Sequence, residues 1–351
     1  MSNEAWETLS NQAIGAAGIV YFLALLVHLA EWASLRKPKA VALPEEALVG
    51  ADTSEVSRLG AGAPRTSTTD GEGGRRTDSE RAEFLGRVGL LLTVIAAGAH
   101  LIALVGRGMA ASPNRVPWGN MYEFTISGTF VVSLMYLVLY KRFRLHWMAP
   151  LVVGFVLTTL MVAVIWLYKP VAPLMDSLQS YWLVIHVVSA IIATGAFTIG
   201  GIASVVYLVK KRAESRLGEG EELAGWLGRV PTLDALDKLA YRVHAFAFPV
   251  WTFAVLITGP IWAHEAWSRY WNWDPKEVWA FITWVVYAGY LHARATAGWK
   301  GRNAAILALV GLATLWFNFI GVNFFAGNSS QHSYAVERPV VDHRWSSSPS
   351  R

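Results

Sequence analysis

Cysteine is absent from this chain of 351 residues, and charged residues are scarce. Without a thiol, the chain can form no disulfide, thiolate metal site or iron–sulfur cluster, and thiol catalysis by its own residues is excluded. Only 16% of its residues are charged, where about 25% is usual in soluble proteins. Apolar residues make up 54% even without the 30 glycines. One soluble core of this size cannot bury so much apolar surface, which excludes an ordinary soluble protein.

Eight apolar stretches are close to the 20 residues that a helix needs to cross a bilayer. They run approximately over 14–34, 84–106, 120–140, 146–167, 181–209, 244–263, 276–297 and 303–326. The sequence therefore predicts an all-α polytopic membrane protein with about eight transmembrane helices. No nucleic-acid partner is predicted.

Lysine and arginine are concentrated in alternate connections between these spans. The basic-rich connections carry Arg36, Lys37 and Lys39; Lys141, Arg142 and Arg144; Lys210, Lys211, Arg212 and Arg216; and Arg294, Lys300 and Arg302. All four fall on one side of a chain that crosses eight times. Because basic connections stay in the cytoplasm, we predict a multi-pass plasma-membrane protein with both termini outside.

The spans divide the chain into four predicted segments. They are a first transmembrane helix (1–34), a cytoplasmic linker (35–83), a transmembrane domain (84–326) and an extracytoplasmic tail (327–351). The linker is rich in Gly, Ser and Thr with mixed charges, a composition that favours disorder. In the connection 211–242, the pattern around 224–239 is amphipathic and favours a helix at the membrane surface.

The connection between spans 6 and 7 is unusually aromatic. It contains Trp262, Trp267, Trp271, Trp273 and Trp279, together with His264, Tyr270 and, further on, Trp284. The segment ends with Asp274 as a good N-cap, Pro275 at the first helical position and Glu277 where a capping box needs a carboxylate. Span 7 is therefore predicted to start at Pro275, after a non-helical loop or a short surface helix.

Two interpretations of these tryptophans compete. An interfacial aromatic belt is the ordinary one, but the density here exceeds what anchoring requires. Clustered indoles offer a flat apolar platform for a large planar ligand such as a porphyrin. Arg269 and Lys276 are then candidates to pair with its propionates.

Haem needs axial ligands, which in a chain without cysteine are mainly His, Met and Tyr. His186 near the outer start of span 5 and His332 in the outer tail are placed to flank the aromatic loop. His292 lies 17 positions after Pro275, about 26 Å along span 7, and is too deep for that site. An intramembrane histidine is functional by default, and His28 is a candidate partner for His292.

The aromatic loop and the residues that follow it resemble a known family. The run "IWAHEAWSRYWNWDPKEVWAFITWVVYAGYLHARATAGWKGRNAAIL" is similar to the tryptophan-rich WWD segment of the CcsA/ResC system II cytochrome c biogenesis proteins. The resemblance extends to "PNRVPWGNMYEF", "SYWLVIHVVSA" and "GVNFFAGNSSQHSY". The chain departs from the family pattern at Ser268, where Gly is usual, and at Ser330-Gln331, where a Gly-Leu pair is common.

The resemblance implies haem transport and a role in a haem lyase, or holocytochrome c synthase. It implies haem b as cofactor, with His186 and His332 as the outer pair of iron ligands and His292 as the intramembrane ligand that receives haem. The haem-binding loop residues are then Trp267, Trp271, Trp273, Asp274 and Trp279. The implied partners are a ResB/Ccs1-type membrane protein, apocytochrome c with its CXXCH motif, and a thiol-reducing protein. No catalytic residue is predicted.

Two other functions remain open. A membrane b-type cytochrome would use bis-His haem at both depths, with His28/His292 and His100/His186 as loosely matched pairs. A haem exporter would move haem without attaching it. External haem would restore cytochrome c in cells that lack the exporter, which separates the two activities.

Overall fold

The computed structural model describes residues 1–35, 69–172, 180–218 and 221–325, with the backbone alone over 69–79. Every regular element in these ranges is helical. The helices are α1 (Asn3–Ser34), α2 (Thr69–Ala110), α3 (Met121–Arg142), α4 (Ala149–Val162), α5 (Tyr181–Glu214), α6 (Trp226–Arg229), α7 (Leu233–Thr252), α8 (Gly259–Trp267), α9 (Pro275–Ala295), α10 (Arg302–Trp316) and α11 (Val322–Phe325). A 3-10 turn (Leu145–Met148) precedes α4, and π-helical segments follow it (Ala163–Leu167), join α7 to α8 (Phe253–Thr258) and join α10 to α11 (Phe317–Gly321).

Seven of the described helical stretches are long and apolar enough to cross a membrane. They are Asn3–Ser34, Glu80–Ala110, Met121–Arg142, Leu145–Leu167, Tyr181–Glu214, Leu233–Trp267 and Arg302–Phe325. The prediction of an all-α polytopic membrane protein is confirmed, and seven of the eight predicted spans lie in these helices.

The remaining predicted span is α9, whose 21 residues would measure about 31 Å. Three contacts show that it runs antiparallel to the membrane-length stretch Arg302–Phe325. Lys276 Nζ donates to Asn323 Oδ1 (3.3 Å), Thr283 Oγ1 to Thr314 Oγ1 (3.1 Å) and Tyr287 Oη to the Ala308 carbonyl (3.3 Å). Because α9 accompanies its neighbour along its length, we treat it as the eighth crossing.

Two crossings begin earlier than their apolar stretches. Helix α1 starts at Asn3 because the Ser2 hydroxyl accepts the Ala5 N–H (3.2 Å), and α7 starts at Leu233, where Thr232 caps it. The predicted surface helix over 224–239 is therefore wrong as a separate element. Its residues form the four-residue helix α6 and then the first turns of a membrane-crossing helix.

The predicted linker ends earlier in the chain than expected. Helix α2 starts at Thr69, inside the predicted 35–83 segment. Residues 36–68 lie outside the described residues, as does the tail predicted over 327–351.

Small residues bring the long helices together, as is usual between membrane helices. Gly89 of α2 faces the His28 ring of α1 so closely that a Cβ would lie 2.6 Å from it. Gly200 of α5 faces the His244 ring of α7 in the same way, at 2.5 Å. These two contacts belong to the antiparallel pairs α1–α2 and α5–α7, which form much of the bundle.

Candidate functional site

His186 lies in the second turn of α5 and is partly exposed. Its Nδ1 lies 2.9 Å from the carbonyl oxygen of Ala254. Because a carbonyl can only accept, this contact favours the tautomer with the proton on Nδ1, which leaves the lone pair of a neutral ring on Nε2. Metal-ligating histidines commonly fix their second nitrogen in this way. The Ala254 carbonyl therefore favours the tautomer that an iron ligand needs.

An irregular turn supplies the acceptor for His186. Pro260 has no N–H, and the chain before it adopts a π-helical segment over Phe253–Thr258. Within this segment the Ala254 carbonyl also accepts from the Thr258 hydroxyl, at 3.1 Å. A Cβ at Gly259 would lie 3.2 Å from the His186 ring. Glycine at 259 thus allows α5 and α8 to approach closely.

Trp262 supports the same imidazole. The two rings are nearly parallel (11°), with centroids 5.9 Å apart. Trp262 is only 4% exposed and packs in an apolar cluster with Trp118 of the α2–α3 connection. Its indole therefore braces His186 from the protein interior instead of offering an open surface.

The predicted start of span 7 is confirmed. Asp274 caps α9 by accepting the Lys276 N–H at 3.0 Å, and Pro275 is the first helical residue. Glu277 Oε2 accepts from the backbone of Asn272 (2.9 Å) and of Asp274 (3.2 Å), which completes the capping box. The carboxylates thus fix the loop directly before the helix.

The predicted loop tryptophans do not form one flat surface. The indoles of Trp262 and Trp267 meet at 65°, and those of Trp271 and Trp273 at 83°. Trp273 has a positive φ of 56° and is 71% exposed. Trp279, on the first turns of α9, packs instead on Phe317 at 4.2 Å between ring centroids. The loop therefore presents indoles in several orientations, and the expectation of a single plane is wrong.

Hydrogen bonds bring four helix ends to one end of the bundle. The Ser180 hydroxyl, at the start of α5, donates to Glu265 near the end of α8. Lys276, at the start of α9, donates to Asn323 of α11. His186 and the aromatic loop therefore share one end. His332 lies outside the described residues.

The other histidines occupy different surroundings. His292 is exposed near the far end of α9. His28 is 1% exposed between α1 and α2, with Nδ1 3.4 Å from Glu31 and no hydrogen-bond partner for Nε2 among the described residues. His100 is fully buried beside Tyr21 and Phe130. In the described structure, His28 and His292 have different surroundings, and so do His100 and His186. The structure therefore gives no support to either candidate pair.

Comparison with known proteins identifies the family. Residues 118–327 match the family model described as Cytochrome C assembly protein. A cytochrome c biogenesis protein CcsA from Trieres chinensis is 32% identical over 282 residues, which are 71% of this chain and 87% of that protein. The chain belongs to the CcsA family of cytochrome c assembly proteins.

Other relatives match over shorter stretches. CcsA from Chlamydomonas reinhardtii is 40% identical over 163 residues, which are 46% of this chain and 43% of that protein. The solved structure of a Cytochrome c Heme Lyase CcmF gives a TM-score of 0.57 at 13% identity, and covers 91% of this chain and 47% of CcmF. The chain thus spans under half the length of these two proteins, and the likeness to CcmF shows a shared fold.

The CcsA-matched region begins at a buried ion network that the sequence analysis missed. Glu123 of α3 has no exposed surface and accepts from Arg107 Nε (3.0 Å), Arg115 Nη1 (2.6 Å) and the Gly119 N–H (2.8 Å). These bonds fix the connection that carries Trp118. The segment "PNRVPWGNMYEF" carries a signal for the position of Glu123. Asn120 precedes Glu123 by three residues, and its side chain caps α3 by accepting the Glu123 N–H (2.9 Å).

Proposed function

We propose that this CcsA-family chain assembles c-type cytochromes: it binds haem b, moves it across the plasma membrane and presents it for covalent attachment to apocytochrome c. In this proposal it acts with a ResB/Ccs1-type membrane protein. The observation that carries the proposal is the imidazole of His186, fixed by the Ala254 carbonyl with Nε2 as the electron-pair donor.

His332 is the proposed second ligand of the same iron. It follows Phe325, the last described residue of α11, by seven positions. Seven residues span at most about 25 Å when extended. Helix α11 ends at the same end of the bundle as the start of α9, so this short connection supports an approach of His332 to the aromatic loop.

The loop supplies apolar contacts and a fixed frame. Trp267, Trp271, Trp273 and Trp279 are the proposed contacts to the porphyrin. Trp273, at 71% exposed, is the most open of the four, and the other three are half-buried. Asp274 keeps the loop in place through the cap of α9. Indoles packed edge to face would contact a planar ligand at its rim as well as on its face.

Membrane orientation follows from charge. In the described structure, three of the four basic-rich connections lie at the opposite end of the crossings from the aromatic loop: those after α3 and α5 and the one between α9 and α10. Under the positive-inside rule they are cytoplasmic, so the proposed haem site is extracytoplasmic. His292, near the basic end of α9, is then the proposed entry ligand for haem made in the cytoplasm.

The attachment chemistry needs no nucleophile from this chain. Each of the two cysteine thiols of the CXXCH motif adds its sulfur and hydrogen across one haem vinyl group, which forms a thioether without net oxidation. The thiols must be reduced beforehand, hence the proposed thiol-reducing partner. The chain contributes position and exclusion of competing reactions.

Spectroscopy of purified variants tests the proposal. His186→Ala and His332→Ala are purified with the companion protein from haem-replete cells, with His343→Ala as the matched control. We expect both ligand variants to lose or shift the haem absorption bands and to stop cytochrome c maturation, while the control retains both. Unchanged haem content and maturation in the two ligand variants would refute the outer ligand pair.

A further inference from the structure

A long groove opens on the side of the bundle between α2, α3, α5 and α7. Its volume is about 1120 Å³. Along α3 it is lined from Ser127 to Phe143, which corresponds to about 24 Å of helix. The groove is therefore long enough to follow most of the hydrocarbon core of a bilayer, about 30 Å thick.

The wall of the groove is apolar and open to the surrounding membrane. The lining residues Leu134, Val138, Val188 and Phe246 are 44%, 68%, 40% and 54% exposed. Ser127 is the one hydroxyl residue among the lining residues, and its hydroxyl donates to the Pro117 carbonyl (2.9 Å). The middle of the groove thus has nothing with which to bind a polar ligand.

Two arginines line the groove, one towards each end, and no lining residue in the described structure is acidic. Arg115 already has partners: its Nη1 donates to Glu123 Oε2 at 2.6 Å, and its Nη2 donates to the Ala172 carbonyl at 3.2 Å. Arg242 of α7 is exposed and has no hydrogen-bond or ion-pair partner among the described residues. Arg242 therefore provides an available positive charge beside an apolar groove.

The end with Arg242 is also the more basic end. Phe143, which lines the groove there, is flanked by Arg142 and Arg144, and both are exposed. Basic pockets between membrane helices on the cytoplasmic side bind the headgroups of anionic lipids. The charge of this end is thus complementary to a lipid phosphate.

The shape of the wall favours flexible chains over a protein helix. Interfaces between membrane helices are enriched in Gly, Ala, Ser and Thr. This wall is mainly Leu, Val, Phe and the adaptable Met109 and Met135. Such side chains suit the irregular surface of acyl chains.

We propose that this groove binds one anionic glycerophospholipid, with its acyl chains along α3 and α5 and its phosphate paired with Arg242. The lipid comes from the leaflet on the basic side of the membrane. The proposed phosphate contact at Arg242 lies at the basic end of the groove, away from the end where Arg115 and Trp118 approach the proposed haem site.

Native mass spectrometry of the full chain in detergent measures this binding. Delipidated protein is titrated with phosphatidylglycerol, and in parallel with phosphatidylcholine that carries the same acyl chains. We expect one tight phosphatidylglycerol site and weaker phosphatidylcholine binding. Arg242→Gln should weaken phosphatidylglycerol binding about tenfold, because a charge-assisted bond to phosphate is lost. Arg302→Gln, an exposed arginine at the start of α10, is the matched control and should bind normally.

A second pair of variants tests the groove itself. Leu134→Trp fills it from an exposed wall position, whereas Val310→Trp, 46% exposed on α10, adds the same side chain elsewhere. Only Leu134→Trp should abolish the tight site. Equal binding of the two lipids, normal binding by Arg242→Gln or normal binding by Leu134→Trp would each overturn the proposal. Loss of the companion protein from Leu134→Trp with lipid binding intact would also overturn it and assign the groove to a partner helix.

Discussion

Replacing Glu123 with glutamine removes the negative charge at the centre of the ion network beside Trp118. The carboxylate is fully buried and pairs with two arginines, of which Arg107 is itself 1% exposed. Glutamine keeps the shape, but it leaves Arg115 without its anionic partner and Arg107 with only the longer contact to Glu7 (3.4 Å). Breaking a buried pair from one side costs about 3–5 kcal/mol. We expect the free energy of unfolding of Glu123→Gln to fall by about that amount.

Reversible unfolding in mixed micelles, followed by tryptophan fluorescence, measures this loss. The matched control is Glu83→Gln, whose pair with Arg87 has side chains 60% and 82% exposed and should change stability by about 0.5 kcal/mol or less. In the Glu123→Gln background, Arg115→Gln should recover part of the loss, because it removes an unpaired positive charge. A Glu123→Gln variant as stable as the Glu83→Gln control would refute the reasoning.

Two further substitutions test packing and capping. Gly89→Ala should lower the free energy of unfolding by about 1–3 kcal/mol, because its Cβ would lie 2.6 Å from the buried His28 ring. Gly15→Ala is the control, because the added atom meets open space. It should raise the free energy of unfolding by up to about 1 kcal/mol in the same assay. Asp274→Ala should cost about 1 kcal/mol and speed hydrogen exchange at the start of α9 about fivefold. An unchanged exchange rate there would show that the cap does not hold the loop.

The crossings and the start of α9 followed directly from the sequence. A run of apolar residues has one low-energy conformation in a bilayer, the helix, so the predicted 181–209 and 303–326 spans lie within or close to the observed helices. The capping box at Asp274 was predictable because its partners are three residues apart. These features depend on local sequence alone.

The contacts that hold the candidate ligand His186 were not predictable in the same way. The acceptor for His186 is a backbone carbonyl 68 positions away, and every residue type has such a carbonyl, so the residue type at 254 gives no signal. Trp118 of the α2–α3 connection and Trp262 of α8 belong to one apolar cluster although they are far apart in the sequence. The angle between neighbouring indoles depends on such packing, which is why the expected flat surface was wrong. The early start of α7 was not predicted, because its first turns contain polar residues and an apolar run does not include them.

The bond from His186 to Ala254 joins two different helices. Ala254 belongs to the π-helical segment between α7 and α8, and a shift of less than one ångström between this segment and α5 would stretch the bond from 2.9 Å beyond the range of a hydrogen bond. The imidazole would then be free to turn about its side-chain torsions and to withdraw Nε2. The orientation of the His186 ring therefore depends on the relative position of α5 and this π-helical segment.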